Sequence, residues 1–128
     1  MHKSRLAAFV IDNNVHDIEQ ANSFWENALG MPCNRSDEEW ANRYASLQTN
    51  KAHPDILIQK VEHESRIHLD IETDNIKAEV ARLEKLGAIV IKTFERWVVM
   101  QAPTGHRFCV VKPQRADFNK SSDVNIWK

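Results

Sequence analysis

The chain has 128 residues, 42% of them hydrophobic and 27% charged, enough for one ordinary domain with its own core and too short for two. Its 17 Lys and Arg against 18 Asp and Glu leave a formal charge of −1, which excludes the basic excess of a protein that grips nucleic acid non-specifically. Only two cysteines, Cys33 and Cys109, are present, too few for a disulfide framework and in keeping with a reducing cytoplasm. No apolar run reaches the roughly 20 residues of a membrane span, and no signal-type apolar stretch follows Met1 to Arg5.

Leu6 to Asp12 reads as a strand from its apolar, β-branched content. A helix follows over about Ile18 to Leu29, where Ile18, Ala21, Phe24, Trp25, Ala28 and Leu29 form one apolar stripe. Asp17 is its natural cap, with Gln20 placed for a capping box, and Gly30 and Pro32 end it. Cys33 to Glu38 and Trp40 to Leu47 carry short strand signals, and Asp55 to Val61 and Ile67 to Glu72 longer ones. A second helix runs from about Asn75 to Leu86 with Ile76, Val80, Leu83 and Leu86 on one face, Asp74 as cap and Gly87 as stop. Ala88 to Phe94, Trp97 to Gln101 and Arg107 to Lys112 complete the strands, the last two joined as a hairpin across Pro103-Thr104-Gly105. The tail from Pro113 to Lys128 is polar, yet Phe118, Ile126 and Trp127 are too apolar to be left in water. They are expected to dock on the same chain or on a partner.

Strand, helix and three strands thus occur twice. Phe9-Val10-Ile11-Asp12 lies over Ile67-His68-Leu69-Asp70, and Leu29-Gly30 over Leu86-Gly87. The chain is an α+β protein of two βαβββ modules, about 5–62 and 66–112, followed by the tail 113–128. Three stretches, "HDIEQANSFWENALGM", "RIHLDIETDNIKAEVARLEKLGA" and "RWVVMQAPTGHRFCVV", occur in an order that resembles the glyoxalase/bleomycin-resistance/extradiol-dioxygenase (vicinal oxygen chelate) superfamily, and within it the glyoxalase-like domain. The resemblance covers about residues 5–112. It implies one domain in which a mostly antiparallel, mixed sheet curls into a cup with the helices on its convex side.

Alternation then assigns faces. In Ile67 to Glu72 the aliphatic residues take the helix side, leaving His68, Asp70 and Glu72 toward the cup, and Asp12 takes the equivalent place to Asp70 in the first half. Metal-using relatives place His or Glu ligands on the first and last strands of each module, where a divalent ion polarises a pair of substrate oxygens. Carried over by position, His68 falls on a histidine ligand, while Val10, Cys109 and a position near Gln59 fall on the others. The ligand set is therefore incomplete, and a shifted site of His68, Asp70 and Asp12 with Cys109 or Gln59 is the alternative. Histidine on a strand also serves as a hydrogen-bonded wall residue, and Cys109, among apolar neighbours, reads as an inert buried thiol rather than a nucleophile.

Trp97 and Trp40 are placed near the mouth, where tryptophan stacks on flat apolar ligands. Phe24 and Phe108 are assigned to the core. No GxSxG, Walker or GxGxxG loop and no HExxH pair occurs. The expected function is a cytoplasmic glyoxalase-like enzyme of lyase, isomerase or dioxygenase type. His68 and Asp70 would be catalytic, Asp12, Gln59, Trp97, Trp40 and Cys109 would meet a small molecule, and a divalent metal ion would sit at His68. The alternative is a non-catalytic, bleomycin-resistance-like sequestering protein. A homodimer is implied by the resemblance; no nucleic acid or membrane partner is expected.

Overall fold

The computed structural model describes residues 1–128, with two α-helices and nine β-strands, an α+β chain. In order these are β1 (His2–Asn13), α1 (Ile18–Leu29), β2 (Cys33–Asn34), β3 (Tyr44–Leu47), β4 (Asp55–Lys60), β5 (Arg66–Thr73), α2 (Ile76–Lys85), β6 (Ile89–Thr93), β7 (Trp97–Gln101), β8 (Arg107–Val111) and β9 (Asn125–Trp127). The chain divides into two compact units, Ala8–Ile67 and Met1–Ala7 with His68–Lys128. Neither helix is long and apolar enough to cross a membrane.

In the unit of Ala8–Ile67, β2, β3 and β4 run antiparallel in turn, and β4 pairs parallel with the second half of β1, Val10 opposite Leu57 and Asp12 opposite Gln59. Ile18 and Ala21 of α1 pack on Ala45, Leu47 and Ile58, with Trp25 and Ile56 at the margin. Trp25 belongs there because its indole N–H donates to Asn13 Oδ1 at 2.9 Å, so a large apolar body is half-buried with its one polar atom satisfied. Phe24, expected in this core, is instead 60% exposed. It lies about 240° round the helix from Ile18, outside the face that Ile18, Ala21 and Trp25 share. The expected capping box is also replaced by a simpler cap: Asp17 accepts from the Glu19 N–H at 3.0 Å, and Gly30 closes the helix with φ 67°. Glu39–Asn42 forms a 3-10 turn, so Trp40 lies on that turn and the strand begins only at Tyr44. The polar run before it is already turning, as the Ser36 hydroxyl accepts the Glu38 N–H at 3.1 Å.

In the other unit β5 runs parallel to β8, and β8, β7 and β6 follow as antiparallel neighbours, with a bulge in β6 between Val90 and Lys92. Leu83, Ile76 and Val80 of α2 pack on Val98, Met100, Phe108 and Val110. The cap of α2 is Asn75, whose side chain accepts from the Ala78 N–H at 3.0 Å, rather than Asp74. Asp74 is already engaged, accepting the Lys3 N–H at 2.8 Å. After α2 the chain reverses at Gly87 with φ 100°, where a Cβ would lie 2.9 Å from Pro103 Cγ. Gly87→Ala is therefore expected to cost about 1–3 kcal/mol of stability in urea unfolding. Gly30→Ala, which meets nothing within 4 Å, should cost less; equal losses would contradict a role for the Pro103 contact.

The tail closes over this unit. β9 pairs antiparallel with His2–Ser4 of β1, and Trp127 donates its indole N–H to Ser4 Oγ at 2.8 Å while the Arg82 guanidinium lies 3.8 Å over its ring. Arg82 and His2 both meet the Glu79 carboxylate at 2.8 Å. Burial raises the Glu79 pKa, but the hydrogen bonds from Arg82, His2 and Ser4 outweigh it, and the carboxyl stays below its ordinary 4.5. Phe118 is fully buried against Arg5. Of the three apolar tail residues, Ile126 alone remains largely exposed.

Candidate functional site

β5 has two faces. Ile71 turns toward the α2 core, so His68, Asp70 and Glu72 point the other way, as alternation requires. Glu72 does not belong to an open surface, however. Its side chain is completely buried, taking Arg5 Nε at 2.7 Å and the backbone N–H groups of Gln114 and Arg115 at 2.6 and 2.9 Å. The tail, which alternation cannot foresee, covers that end of the strand and makes Glu72 an anchor.

Asp70 and His68 remain. Asp70 is the register partner of Cys109 across the parallel β5–β8 pair, so the carboxylate and the thiol leave the same face side by side. His68 precedes Asp70 by two residues and projects from that face too, its Nε2 3.3 Å from Asp70 Oδ1. One ligand-type atom from each of His68, Asp70 and Cys109 falls within 4.8 Å of the others, all three being half-buried. The His68–Asp70 approach is close in distance but misaligned, so Asp70 Oδ1 is buried without a hydrogen bond. A buried carboxylate oxygen left in that state is costly unless a cation or a donor meets it. One nitrogen, one oxygen and one sulfur donor on neighbouring strands suit a borderline divalent ion such as zinc, cobalt or iron. The residues therefore fit a metal ion, and the fit rests on the orphaned oxygen and the mixed donor set.

The remaining predicted residues lie as follows. Trp97 opens β7 opposite Val111 and shares the face of Cys109; it stacks on Phe94 at 4.4 Å and 15° between ring planes and is 37% exposed. In the unit of Ala8–Ile67, Asp12 and Gln59 are register partners on the face away from α1. The Gln59 amide donates to the Tyr44 hydroxyl at 3.4 Å, and Arg66 Nε comes within 3.9 Å of Asp12 Oδ2. Trp40 is exposed on its 3-10 turn. Two residues passed over in the sequence share the face of Cys109 in the other unit: Arg107, two positions before it on β8, and Gln101, opposite Arg107 on β7. Arg107 Nε donates to Gln101 Oε1 at 3.0 Å. Their signal was the hairpin itself, since any two residues flanking the Pro103-Thr104-Gly105 turn at equal distance must face each other.

The sequence model of the glyoxalase-like domain matches residues 8–111. A search of curated proteins finds no match. Among solved structures, methylmalonyl-CoA epimerase from Mycobacterium tuberculosis superposes with a TM-score of 0.61 at 17% identity, over 85% of this chain and 87% of that one. An NAD-dependent benzaldehyde dehydrogenase from Legionella pneumophila gives 0.61 at 11%, over 83% and 99%. An extradiol ring-cleaving dioxygenase from Brevibacterium fuscum gives 0.55 at 15%, over 86% of this chain and 32% of that longer one. Three reactions share one architecture here, so at these identities the neighbours speak for the fold alone. Matched over most of its length and carrying two βαβββ halves, the chain belongs to the glyoxalase-like domain family.

Proposed function

We propose that this protein is a metal-assisted enzyme acting on a small carbonyl compound, with His68, Asp70 and Cys109 as the residues that hold the ion. The observation that carries the reading is the convergence of those three donor atoms within 4.8 Å beside a buried carboxylate oxygen that has no hydrogen bond. A bound divalent ion would supply Lewis-acid polarisation of a substrate oxygen. The chain's own residues do the rest. Asp70 has two carboxylate oxygens, so one can face the ion while the other takes a proton from carbon next to the polarised carbonyl. His68, whose Nε2 lies 3.3 Å from Asp70 Oδ1, would hold the ion beside that carboxylate. Trp97 offers a flat apolar wall on the same sheet face. Cys33 and Cys109 are both free thiols, which fits a reducing compartment such as the cytoplasm. The open edge strand β6, with Ile89, Val90 and Ile91 exposed, supports pairing with a second copy of the chain.

The test is proton exchange. Zinc- or cobalt-loaded protein, incubated in D2O with a panel of small 2-oxo and 2-hydroxy carbonyl compounds, should place deuterium next to the carbonyl. Asp70→Asn should slow that exchange by about 100-fold or more. A protein that takes up no metal, exchanges nothing and shows Trp97 fluorescence quenched by planar aromatic compounds would instead be a sequestering protein of the bleomycin-resistance kind.

A further inference from the structure

Among the arginines, buried Arg5, half-buried Arg82 and exposed Arg35 are paired with acids, and buried Arg115 donates to the Leu6 carbonyl at 3.2 Å. Arg5 meets Glu72, Asp117 and Asp123, Arg82 meets Glu79, and Arg35 meets Glu19 and Glu26. Arg107 differs. It is half-buried, and its only hydrogen bond is from Nε to the neutral Gln101 amide at 3.0 Å. That bond fixes the plane of the guanidinium and leaves its terminal nitrogens without a carboxylate. Arg107 also sits two residues before Cys109 on β8, on the face that carries Asp70, beside the strand that carries His68. A planar fork held in one orientation, with no internal anion, is the arrangement that recognises an oxyanion in two-point fashion.

We infer that Arg107 is the substrate anchor of this site and that the substrate carries a carboxylate. The inference rests on the metal-assisted reading above, and the charges agree with it. A divalent ion held by the Asp70 carboxylate and by Cys109 as thiolate would leave the centre neutral, and Arg107 would then give the face one net positive charge for an anion to meet. Gln101 is then a positioning residue: it holds the guanidinium plane and does not touch the substrate.

The experiment uses 2-oxobutyrate, its uncharged amide 2-oxobutyramide, and inorganic phosphate as probes, each titrated into zinc-loaded and metal-free full-length protein. Binding is read by calorimetry and by the nitrogen-15 NMR signal of Arg107 Nε. 2-Oxobutyrate should bind at least about 10-fold more tightly than the amide and should move the Arg107 signal. Arg107→Gln should weaken it about 10–100-fold and abolish the preference over the amide, while Arg107→Lys, which keeps the charge without the fork, should retain part of it. Gln101→Leu should broaden the Arg107 signal and weaken binding less than Arg107→Gln does. A signal that moves with 2-oxobutyrate in metal-free protein supports the anchor even if the metal reading fails. Tight, zinc-dependent binding unchanged by Arg107→Gln would overturn the anchor and leave the metal reading standing. Equal response to the acid and its amide, preference for phosphate over 2-oxobutyrate, or no response to any probe would also overturn it.

Discussion

Arg5→Leu is expected to cost about 3–5 kcal/mol of unfolding free energy at neutral pH, the largest loss of any single substitution outside the apolar core. Arg5 lies in the interior with its side chain 3% exposed, and its three guanidinium nitrogens reach Glu72, Asp123 and Asp117 at 2.7, 2.6 and 2.6 Å. Burial alone would lower its pKa, but the hydrogen bonds it donates to Asp117, Glu72 and Asp123 together raise it above the ordinary arginine value. Leucine removes the charge and leaves the Glu72 carboxylate enclosed with only two backbone donors. Asp117 and Asp123, at least half exposed, can turn to water, so the penalty falls on Glu72. A double variant, Arg5→Leu with Glu72→Leu, should recover much of the loss, because replacing both partners removes the unpaired charge. Urea unfolding of the two variants checks this, and a single variant as stable as the parent would mean that the tail does not rest on Arg5.

The second large effect is on metal affinity. His68→Ala removes the one imidazole of the cluster and is expected to weaken zinc or cobalt binding on the order of 100-fold or more, since losses of 10–100-fold follow from disturbing groups that merely support a ligand. Zinc at 100 times its dissociation constant should stabilise the parent protein by about 2.7 kcal/mol, and the variant should show almost none of that gain. Calorimetric titration gives the affinity and thermal unfolding with and without zinc gives the linkage. Equal stabilisation of parent and variant would place the ion elsewhere.

Local pattern made the helices and most strands readable, because an apolar stripe and an alternating run each match one regular structure. The bounds of α1 agree residue for residue with the reading of Ile18 to Leu29. What local pattern does not carry is pairing between distant residues. β9 has three residues and becomes a strand only because His2–Ser4, more than 120 positions earlier, offers a partner. Glu72 and Asp70 look alike in sequence and share one face of β5. They part because Gln114 and Arg115 fold back on the first and not on the second. The same limit applies to the site. His68 and Asp70 were legible from alternation on a single strand, whereas the nearness of Cys109 depends on the β5–β8 register, and the isolation of Arg107 depends on where every acid in its unit ends up. Trp40 shows the opposite failure, a weak strand signal over Trp40 to Leu47 whose first residues coil into a 3-10 turn.

The proposed activity depends on His68, Asp70 and Cys109 forming a metal centre. Elemental analysis of protein purified without chelator tests that most directly. Close to one equivalent of a divalent transition metal per chain is expected in the parent protein and a trace in His68→Ala. A parent protein that carries no such metal, and takes none up when dialysed against zinc, cobalt or iron(II), would contradict it.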